Sequence, residues 1–315
     1  MNGISRRPDV LAFACGDPAG VGPRAVLAAL RSGVLPRGVS PLLVGARTVW
    51  RKAGWRPGDG PIRDPGVEGR VPQPGRPTVD GGRLSAAAFE ESVRLAARGL
   101  VAGIVTAPIS KEGWAQSGYP WKDHTERLAA LAGGEVEMVL GVPSRRLWCV
   151  AATRHVSLKE AVRSVEARAV ASAARALDSV LRRLAITRPR LALCALNPHA
   201  GEGGLIGREE IDVLSPAVAA LRRAGLLLDG PLPADSAWRL HVEGAYDGLV
   251  CLYHDQALIP LKALGGLSGV NWTVGLPFIR VSPAHGTAWD AARTGRIDPS
   301  ATIEAARLAA LLAMA

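Results

Sequence analysis

DGLVCLYHDQ, residues 247–256, joins a short apolar run directly to a polar motif that contains His254. Short apolar runs bounded by polar or turn-forming residues are typical of buried parallel strands. Two other stretches have the same form, LWCVAATRH ending at His155 and LALCALNPH ending at His199. The sequence therefore predicts three buried parallel strands, each followed by a histidine.

Three histidines placed in this way point to one metal site. In an open α/β sheet, groups just beyond the carboxyl ends of the strands line the ligand crevice. Three neutral imidazoles that meet there suit a divalent cation with one position left for substrate. The alternative is three unrelated histidines, each bonded to a backbone carbonyl at the end of its strand.

Strand-like runs alternate with helical segments along the whole chain. Further runs are VLAFAC, SPLLVG, LVAGIVTAP, VEMVLG and NWTVGLP, and segments with helical periodicity include 84–99, 157–183 and 208–225. This alternation predicts an α/β fold with a largely parallel sheet. The glycine-rich segment 197–204 does not fit the Rossmann dinucleotide fingerprint, because Ile206, just after it, occupies the last glycine position, and the fingerprint appears nowhere else in the sequence.

Composition and charge narrow the functional classes. The chain has 315 residues and a net charge of +10. The excess is mostly arginine, scattered over helix faces and the Pro/Gly-rich stretch 56–83 without interleaved aromatic residues, which argues against nucleic-acid binding. Apolar stretches are too short to span a membrane, and the first one breaks at Gly16, so we expect a cytoplasmic protein.

A second group of residues suits an anionic substrate. His124 and Thr125 stand at a predicted helix start, where an imidazole and a hydroxyl could grip a phosphate through charge-assisted hydrogen bonds. Simple helix capping by Thr125 is the alternative. Lys262 and Arg280 are cations that can bind carboxylate or phosphate, and Asn271 can orient a polar group. For both cations the alternative is solvation at the surface.

Nine motifs follow one another along nearly the whole chain: GDPAGVGP, VTAPISK, DHTE, TRHVSLKEA, LNPHAGEGG, GPLPADS, YHDQALIPLK, GVNWTVGLPFIR and HGTA. In this set and order the chain closely resembles the PdxA family of 4-hydroxythreonine-4-phosphate dehydrogenases. The resemblance implies an α/β fold like that of isocitrate and isopropylmalate dehydrogenases, with two α/β/α domains and a cleft between them. We expect one domain at 1–125 plus 272–315 and a second, carrying the metal ligands, at 126–271.

The resemblance also implies an activity. It is the NAD(P)-dependent oxidation of 4-phosphohydroxy-L-threonine with decarboxylation to 3-amino-1-hydroxyacetone phosphate, in pyridoxal phosphate (vitamin B6) biosynthesis. The family's cofactors are NAD or NADP and a divalent metal (zinc, magnesium or cobalt). Its members form homodimers with a shared active site.

Site residues follow from the motifs that match. The resemblance implies metal binding by His155, His199 and His254, with ligands from both subunits. Lys262 or Asp235 would take the proton of the substrate hydroxyl. The substrate-binding residues that it implies are His124, Thr125, Lys262, Asn271 and Arg280.

Three positions depart from the family pattern. Arg24 replaces an acidic residue after GVGP, Ser268 replaces an arginine before Gly269, and Ala284 replaces an aspartate before His285. The last two lie near the expected site, so a related dehydrogenase of threonate or erythronate 4-phosphate is the alternative. A metal-dependent phosphate-binding protein without redox activity is a third hypothesis.

Overall fold

All eight apolar runs that predict strands form strands in the computed structural model, which describes residues 9–134 and 136–315. Among the described residues, the strands without such a run in the prediction are Ile62–Arg63, Leu227–Leu232 and Ile279–Pro283. In chain order the strands are β1 (Val10–Ala14), β2 (Ser40–Val44), β3 (Ile62–Arg63), β4 (Gly103–Thr106), β5 (Glu137–Val142), β6 (Leu147–Ala151), β7 (Arg190–Cys194), β8 (Leu227–Leu232), β9 (Gly248–Cys251), β10 (Val270–Val274) and β11 (Ile279–Pro283).

Helices occupy the periodic segments. Pro23 lies in the first turn of α1, and Ser157 caps α6 by accepting a hydrogen bond from the backbone N–H of Glu160. None of the helices in the described residues has both the length and the apolarity of a membrane span. In chain order the helices are α1 (Gly22–Arg31), α2 (Arg47–Lys52), α3 (Val79–Ala97), α4 (Lys111–Gln116), α5 (His124–Ala132), α6 (Leu158–Arg163), α7 (Ala167–Arg183), α8 (Ser215–Arg223), α9 (Ala234–Val242), α10 (His254–Gly265), α11 (Trp289–Thr294) and α12 (Ser300–Met314).

The chain divides into two units, and it leaves the first unit and later returns to it. The first unit extends to Val136 and resumes at Val270, and the second is Glu137–Gly269. The boundaries expected from the sequence, 125/126 and 271/272, fall inside helix α5 and strand β10. Because hydrogen-bonded elements pack as wholes, both stay intact within the first unit.

In the first unit the strand order is β3-β2-β1-β4-β11-β10, and only the last pair, β11 with β10, is antiparallel. Helix α3 packs on this sheet, and Phe89 of α3 and Trp114 of α4 are buried in one apolar cluster with Ala12 and Ile104. This apolar cluster supports the loops that follow β1 and β4, where parallel α/β sheets place their ligand-binding groups.

In the second unit the order is β5-β6-β9-β7-β8, with β5 antiparallel to β6 and the remaining neighbours parallel. Helix α7 covers the sheet with a buried face that includes Val170, Leu177 and Leu181, at helical spacing. Because β6, β9 and β7 are parallel neighbours, their carboxyl ends lie at one edge of the sheet. The three predicted metal histidines follow these three ends.

A buried carboxyl group lies in the connection between β1 and α1. Asp17 is fully buried, and its Oδ1 accepts a hydrogen bond of 2.9 Å from the backbone N–H of Ala19. Its Oδ2 has no hydrogen-bond partner among the described residues. Burial disfavours the charged form, and it raises the pKa of Asp17 from 3.8 to about 6.

This raised pKa predicts a stability that falls as the pH rises. Between pH 4 and 6, roughly, the folded state holds a proton that the unfolded state has released, so the free energy of unfolding decreases through that window. Asp17→Asn removes the charge, and we expect it to raise the free energy of unfolding by about 3 kcal/mol above pH 7, at 1.36 kcal/mol per pKa unit. Urea unfolding at pH 4, 5.5 and 7.5 measures the effect.

The gain should be less than about 1 kcal/mol at pH 4 and should vanish below roughly pH 3, where the carboxyl group is protonated in both states. Asp212→Asn is the matched control, because Asp212 is an exposed carboxylate that pairs with Arg208 one helical turn away. We expect it to change stability by less than about 1 kcal/mol at every pH. A gain for Asp17→Asn that is the same at all three pH values would contradict the assignment.

Candidate active site

Arg280, on β11, is a buried cation that forms no ion pair with a carboxylate among the described residues; it is 2% exposed. Its guanidinium donates to Thr106 Oγ1 (3.1 Å from Nε and 2.8 Å from Nη2), to Thr273 Oγ1 (2.8 Å) and to His124 Nδ1 (3.1 Å). Burial lowers the pKa of Arg280 to about 10. An uncompensated buried charge is costly, so this arrangement suits an anion supplied by a ligand.

His124 is held as a neutral ring beside Arg280. Its imidazole packs against Phe89 and Trp114, with ring centroids 4.4 Å and 5.2 Å away. Because a guanidinium can only donate, Nδ1 of His124 accepts and the ring proton lies on Nε2. Burial, and next the positive charge of Arg280, lower the pKa of His124 well below its usual value. The ring can therefore donate from Nε2 to a ligand oxygen.

Asp123 is the residue that caps helix α5. The Asp123 carboxylate accepts from the backbone N–H of Glu126 at 3.0 Å and pairs with Lys111 Nζ at 2.8 Å. Thr125 lies in the first turn of α5 and is partly exposed. Asp123 is thus the N-cap of α5, and the role of Thr125 in substrate binding stays a prediction.

Asn271 shares a face of the β10–β11 pair with the residues around Arg280. The antiparallel register places Thr273 opposite Arg280 and Asn271 opposite Ser282. Because side chains alternate along a strand, Asn271, Thr273 and Arg280 lie on one face. The first unit therefore brings Arg280 and His124 into direct contact and places Asn271 on the same surface of the sheet.

Two of the three predicted metal histidines lie side by side in the second unit. The ring centroids of His155 and His254 are 5.9 Å apart. Two imidazoles on one cation keep their centroids within about 6 Å, because each metal–nitrogen bond is about 2 Å long. In residues 9–134 and 136–315 no group of three or more His, Cys, Asp or Glu side chains is close enough to hold a metal. A single chain thus places two of these rings together, without His199.

The backbone is strained at two of these histidines. His155 has φ 45° and His199 has φ 51°, in the left-handed region that side chains other than glycine rarely adopt. A buried carboxylate, Glu210, anchors the loop before His199 by accepting hydrogen bonds from the backbone N–H groups of Leu196 (2.9 Å) and Asn197 (2.8 Å). Strain that is held in this way is often found where side chains must be aimed at a ligand.

His254 begins helix α10, and its Nδ1 lies 2.8 Å from Oδ1 of Asp255. A carboxylate on one ring nitrogen is the usual partner of a metal-binding histidine, since it orients the ring and leaves the other nitrogen for the cation. Gln256 joins the ends of β7 and β9, because its side chain donates to Ala195 O and accepts from Leu252 N. The donor set around His254 therefore fits a divalent metal.

The two candidates for proton transfer are exposed. Lys262 lies on α10, two turns after His254, and Asp235 lies in the first turn of α9. Neither side chain forms a hydrogen bond or an ion pair within the described part of the chain. The choice between Lys262 and Asp235 as proton acceptor stays a prediction.

Four residues that support these sites were not predicted as site residues from the sequence. Thr106 and Thr273 hold the guanidinium of Arg280, Glu210 anchors the loop of His199, and Gln256 supports His254. The alternation of side chains in β10 is a signal that could have identified Thr273, since it lies two residues after Asn271. Glu210 had no such signal, because its partners precede it by more than ten residues.

Comparison with known proteins identifies the family of this chain. Residues 51–309 match the family model of the pyridoxal phosphate biosynthetic protein PdxA. The chain belongs to the PdxA family. It is 39% identical over 333 residues to a 4-hydroxythreonine-4-phosphate dehydrogenase of Maricaulis maris, covering 96% of this chain and 97% of that one. It is 35% identical over 329 residues to a D-threonate 4-phosphate dehydrogenase of Pectobacterium atrosepticum, covering 96% and 99%.

Solved structures agree with the family and with the predicted fold. The crystal structure of 4-hydroxythreonine-4-phosphate dehydrogenase from Klebsiella pneumoniae is 34% identical, with a TM-score of 0.81 over 96% of this chain and 99% of that chain. A β-decarboxylating dehydrogenase from Thermococcus kodakarensis, 14% identical with a TM-score of 0.51 over 94% and 81%, shares the fold alone. The expected relation in fold between the PdxA family and the decarboxylating dehydrogenases is confirmed.

Proposed function

We propose that the protein oxidises 4-phosphohydroxy-L-threonine with NAD or NADP and decarboxylates it to 3-amino-1-hydroxyacetone phosphate, as a cytoplasmic enzyme of pyridoxal phosphate biosynthesis. As a PdxA family member, the chain is a dehydrogenase, since its relatives carry that name. The observation that carries the substrate class is Arg280, a buried guanidinium whose partners are neutral.

Arg280 and His124 are proposed to hold the substrate's phosphate. The anion compensates the buried positive charge, and the Nε2–H of His124 donates a further hydrogen bond to a phosphate oxygen. Asn271, Thr125 and Lys262 are the other proposed substrate contacts. A phosphate fits this site better than a neutral group, because it repays the desolvation of the guanidinium.

A divalent cation, zinc, magnesium or cobalt, is proposed to bind His155, His199 and His254. The adjacent rings of His155 and His254 and the Asp255 carboxylate on His254 Nδ1 support this proposal. When bound, the cation supplies Lewis-acid polarisation of the substrate hydroxyl and the ketone, and the nicotinamide supplies the hydride acceptor. Lys262 or Asp235 takes the hydroxyl proton.

A homodimer with a shared active site is part of the proposal. Within six residues after each of the three histidines in the sequence, one large apolar side chain is well exposed: Leu158 at 61%, Leu205 at 88% and Ile259 at 64%. Exposed large apolar side chains that form a patch are typical of protein interfaces, and we propose that these three belong to one. A partner that covers them would lie against the segments that carry the histidines.

A related dehydrogenase of threonate or erythronate 4-phosphate is the second candidate. The relative named D-threonate 4-phosphate dehydrogenase supports it, as do Ser268 and Ala284 at positions where the family pattern has charged residues. Both candidates use the same anion site and the same histidines, so they differ in the substrate atoms beyond the phosphate.

Reduced-cofactor absorbance separates these functions. The purified protein is given 4-phosphohydroxy-L-threonine, D-threonate 4-phosphate or D-erythronate 4-phosphate, with NAD or NADP, with and without added divalent ion. We expect the highest kcat/KM with 4-phosphohydroxy-L-threonine, release of carbon dioxide, and loss of turnover in chelator. A higher kcat/KM with threonate or erythronate 4-phosphate would establish the second candidate. No cofactor reduction with any of the three would favour a binding protein.

A further inference from the structure

Helix α5, which presents His124, has little apolar packing of its own. Leu128 is its one buried residue. An open groove of about 560 Å³ lies beside the helix, lined by Pro65, Val67, Leu131 and residues of α3. Apolar contact between α5 and α3 is therefore confined to Leu128, in the cluster with Phe89, and to the His124 ring.

A polar cluster centred on Glu90 of α3 joins the two helices as well. Arg127 of α5 donates to both oxygens of the Glu90 carboxylate, at 2.7 Å from Nε and 3.0 Å from Nη2. The hydroxyl of Tyr119 donates a short hydrogen bond to the same carboxylate. Such a bidentate pair fixes orientation as well as distance. The guanidinium of Arg127 also lies 5.7 Å from the ring centroid of Trp121.

The same two helices meet a second time at His124. Phe89, the neighbour of Glu90 on α3, lies against the His124 ring, and Trp114 meets that ring edge-on. Tyr119 packs on Trp114 with centroids 4.6 Å apart. Tyr119 therefore links the aromatic contact around His124 to the carboxylate of Glu90.

We propose that Glu90 is a positioning residue: through Arg127 and Tyr119 it holds helix α5 so that Nδ1 of His124 stays on Arg280 and Nε2 faces the ligand. This inference rests on the proposed function in one respect, that His124 and Arg280 bind the substrate's phosphate. Glu90 itself touches neither residue, and it acts by fixing the helix that carries His124.

The direction in which the phosphate affinity changes on removal of Glu90 distinguishes a positioning role from a purely electrostatic one. Removing a carboxylate near an anion site should strengthen anion binding if only long-range electrostatics matters. Positioning predicts the opposite, because a misplaced His124 loses its hydrogen bonds to Arg280 and to the ligand. Glu91 provides the matched control: it is the next residue on α3, it pairs with Arg63 and Arg94, and none of its pairs reaches α5.

The experiment compares Glu90→Ala with its control Glu91→Ala, because alanine preserves the helix. Glu90→Gln and Tyr119→Phe are added as milder variants. Two readouts are taken on the full-length protein. One is the ¹⁵N NMR signature of the His124 ring against pH, which reports its tautomer without any ligand. The other is the Kd for inorganic phosphate by calorimetry, together with KM and kcat for the phosphorylated substrate.

We expect Glu90→Ala to weaken phosphate binding and raise KM about tenfold, equivalent to about 1.4 kcal/mol, with a smaller change in kcat. The His124 pKa should rise toward its usual value as the ring becomes less buried and moves away from Arg280; the other charged groups acting on the ring, Asp123 and Lys111, are unchanged. Glu90→Gln should recover part of the loss, because its oxygen still accepts. Glu91→Ala should leave the His124 signature as it is and should not weaken phosphate binding.

Unchanged His124 signals and unchanged or tighter phosphate binding in Glu90→Ala would overturn the inference. If Glu90→Ala does not fold, Tyr119→Phe decides by the same two readouts, with an intermediate change expected. If the unmodified protein neither binds phosphate nor reduces the cofactor with the phosphorylated substrates, the proposed function fails, and the His124 tautomer still decides whether Glu90 positions the ring.

Discussion

Replacing Arg280 by methionine should lower kcat/KM for the phosphorylated substrate by about a thousandfold or more, equivalent to about 4 kcal/mol of transition-state binding. Methionine fills much of the same space but removes the charge that a phosphate would compensate. Loss of one partner of a buried charge pair typically costs 2–5 kcal/mol in binding. Steady-state kinetics and the Kd for inorganic phosphate measure the loss.

The same substitution should leave the free energy of unfolding unchanged or higher. In the free protein the hydrogen-bond partners of the guanidinium are neutral, and burial keeps its pKa depressed although the charge of Asp123 acts in the opposite direction. Replacing an uncompensated buried charge by an apolar group removes this cost. Arg280→Lys keeps a charge without the planar fork and should fall between the two proteins in affinity.

Arg182→Met is the control for loss of an arginine. Arg182 is exposed on α7 and pairs with Asp178 one turn away, so we expect normal kinetics. An Arg280→Met protein that is folded and keeps its original KM would show that the anion binds elsewhere. A folded Arg280→Met protein that loses stability by several kcal/mol would show that the guanidinium serves the fold.

Replacing His199 by alanine should remove bound metal and reduce turnover by about a thousandfold or more, while the fold is retained. His199 is exposed and follows β7 in a strained loop whose anchor, Glu210, stays in place. Metal analysis of the purified protein and the reduced-cofactor assay are the measurements. His199→Asn is a matched variant, because asparagine accepts positive φ better than alanine. Full activity of the alanine variant in the presence of a chelator would refute the metal assignment.

Mixing two inactive proteins tests whether the metal site is shared between subunits. If His199 and His254 of one site come from different subunits, mixed dimers of His199→Ala and His254→Ala chains contain one intact site. Random mixing in a symmetric dimer then restores roughly a quarter of the normal activity. No recovery after verified subunit exchange would place both residues of each site on one chain.

Much of the fold and part of the candidate site could be predicted from local sequence. The apolar runs before His155, His199 and His254 predicted three parallel strands, and the structure has them as the neighbours β6, β7 and β9. Such runs can be recognised in a sequence because a strand that is buried on both faces needs consecutive apolar side chains. The ordered motifs predicted the PdxA family and its fold, and both are confirmed.

Other features depend on contacts that no local pattern encodes. The partners of Arg280 lie on β4, β10 and α5, separated from it by as many as 174 residues. A sequence cannot show whether an arginine is solvated or buried among neutral groups. Only a buried guanidinium with neutral partners is strongly stabilised when an anion binds. The orphaned carboxyl oxygen of Asp17 and the cluster around Glu90 are of the same kind.

The sequence by itself determined the class of fold, the strands that end at the histidines, and the family with its expected chemistry. Only the tertiary structure decided the neutral tautomer of His124, the uncompensated charge of Arg280, and which two histidines of one chain lie together. The physical reason is that hydrophobic periodicity, which predicts the strands and helices, involves only residues close together in the sequence. Desolvation and hydrogen bonding instead depend on which distant groups the fold packs against each side chain.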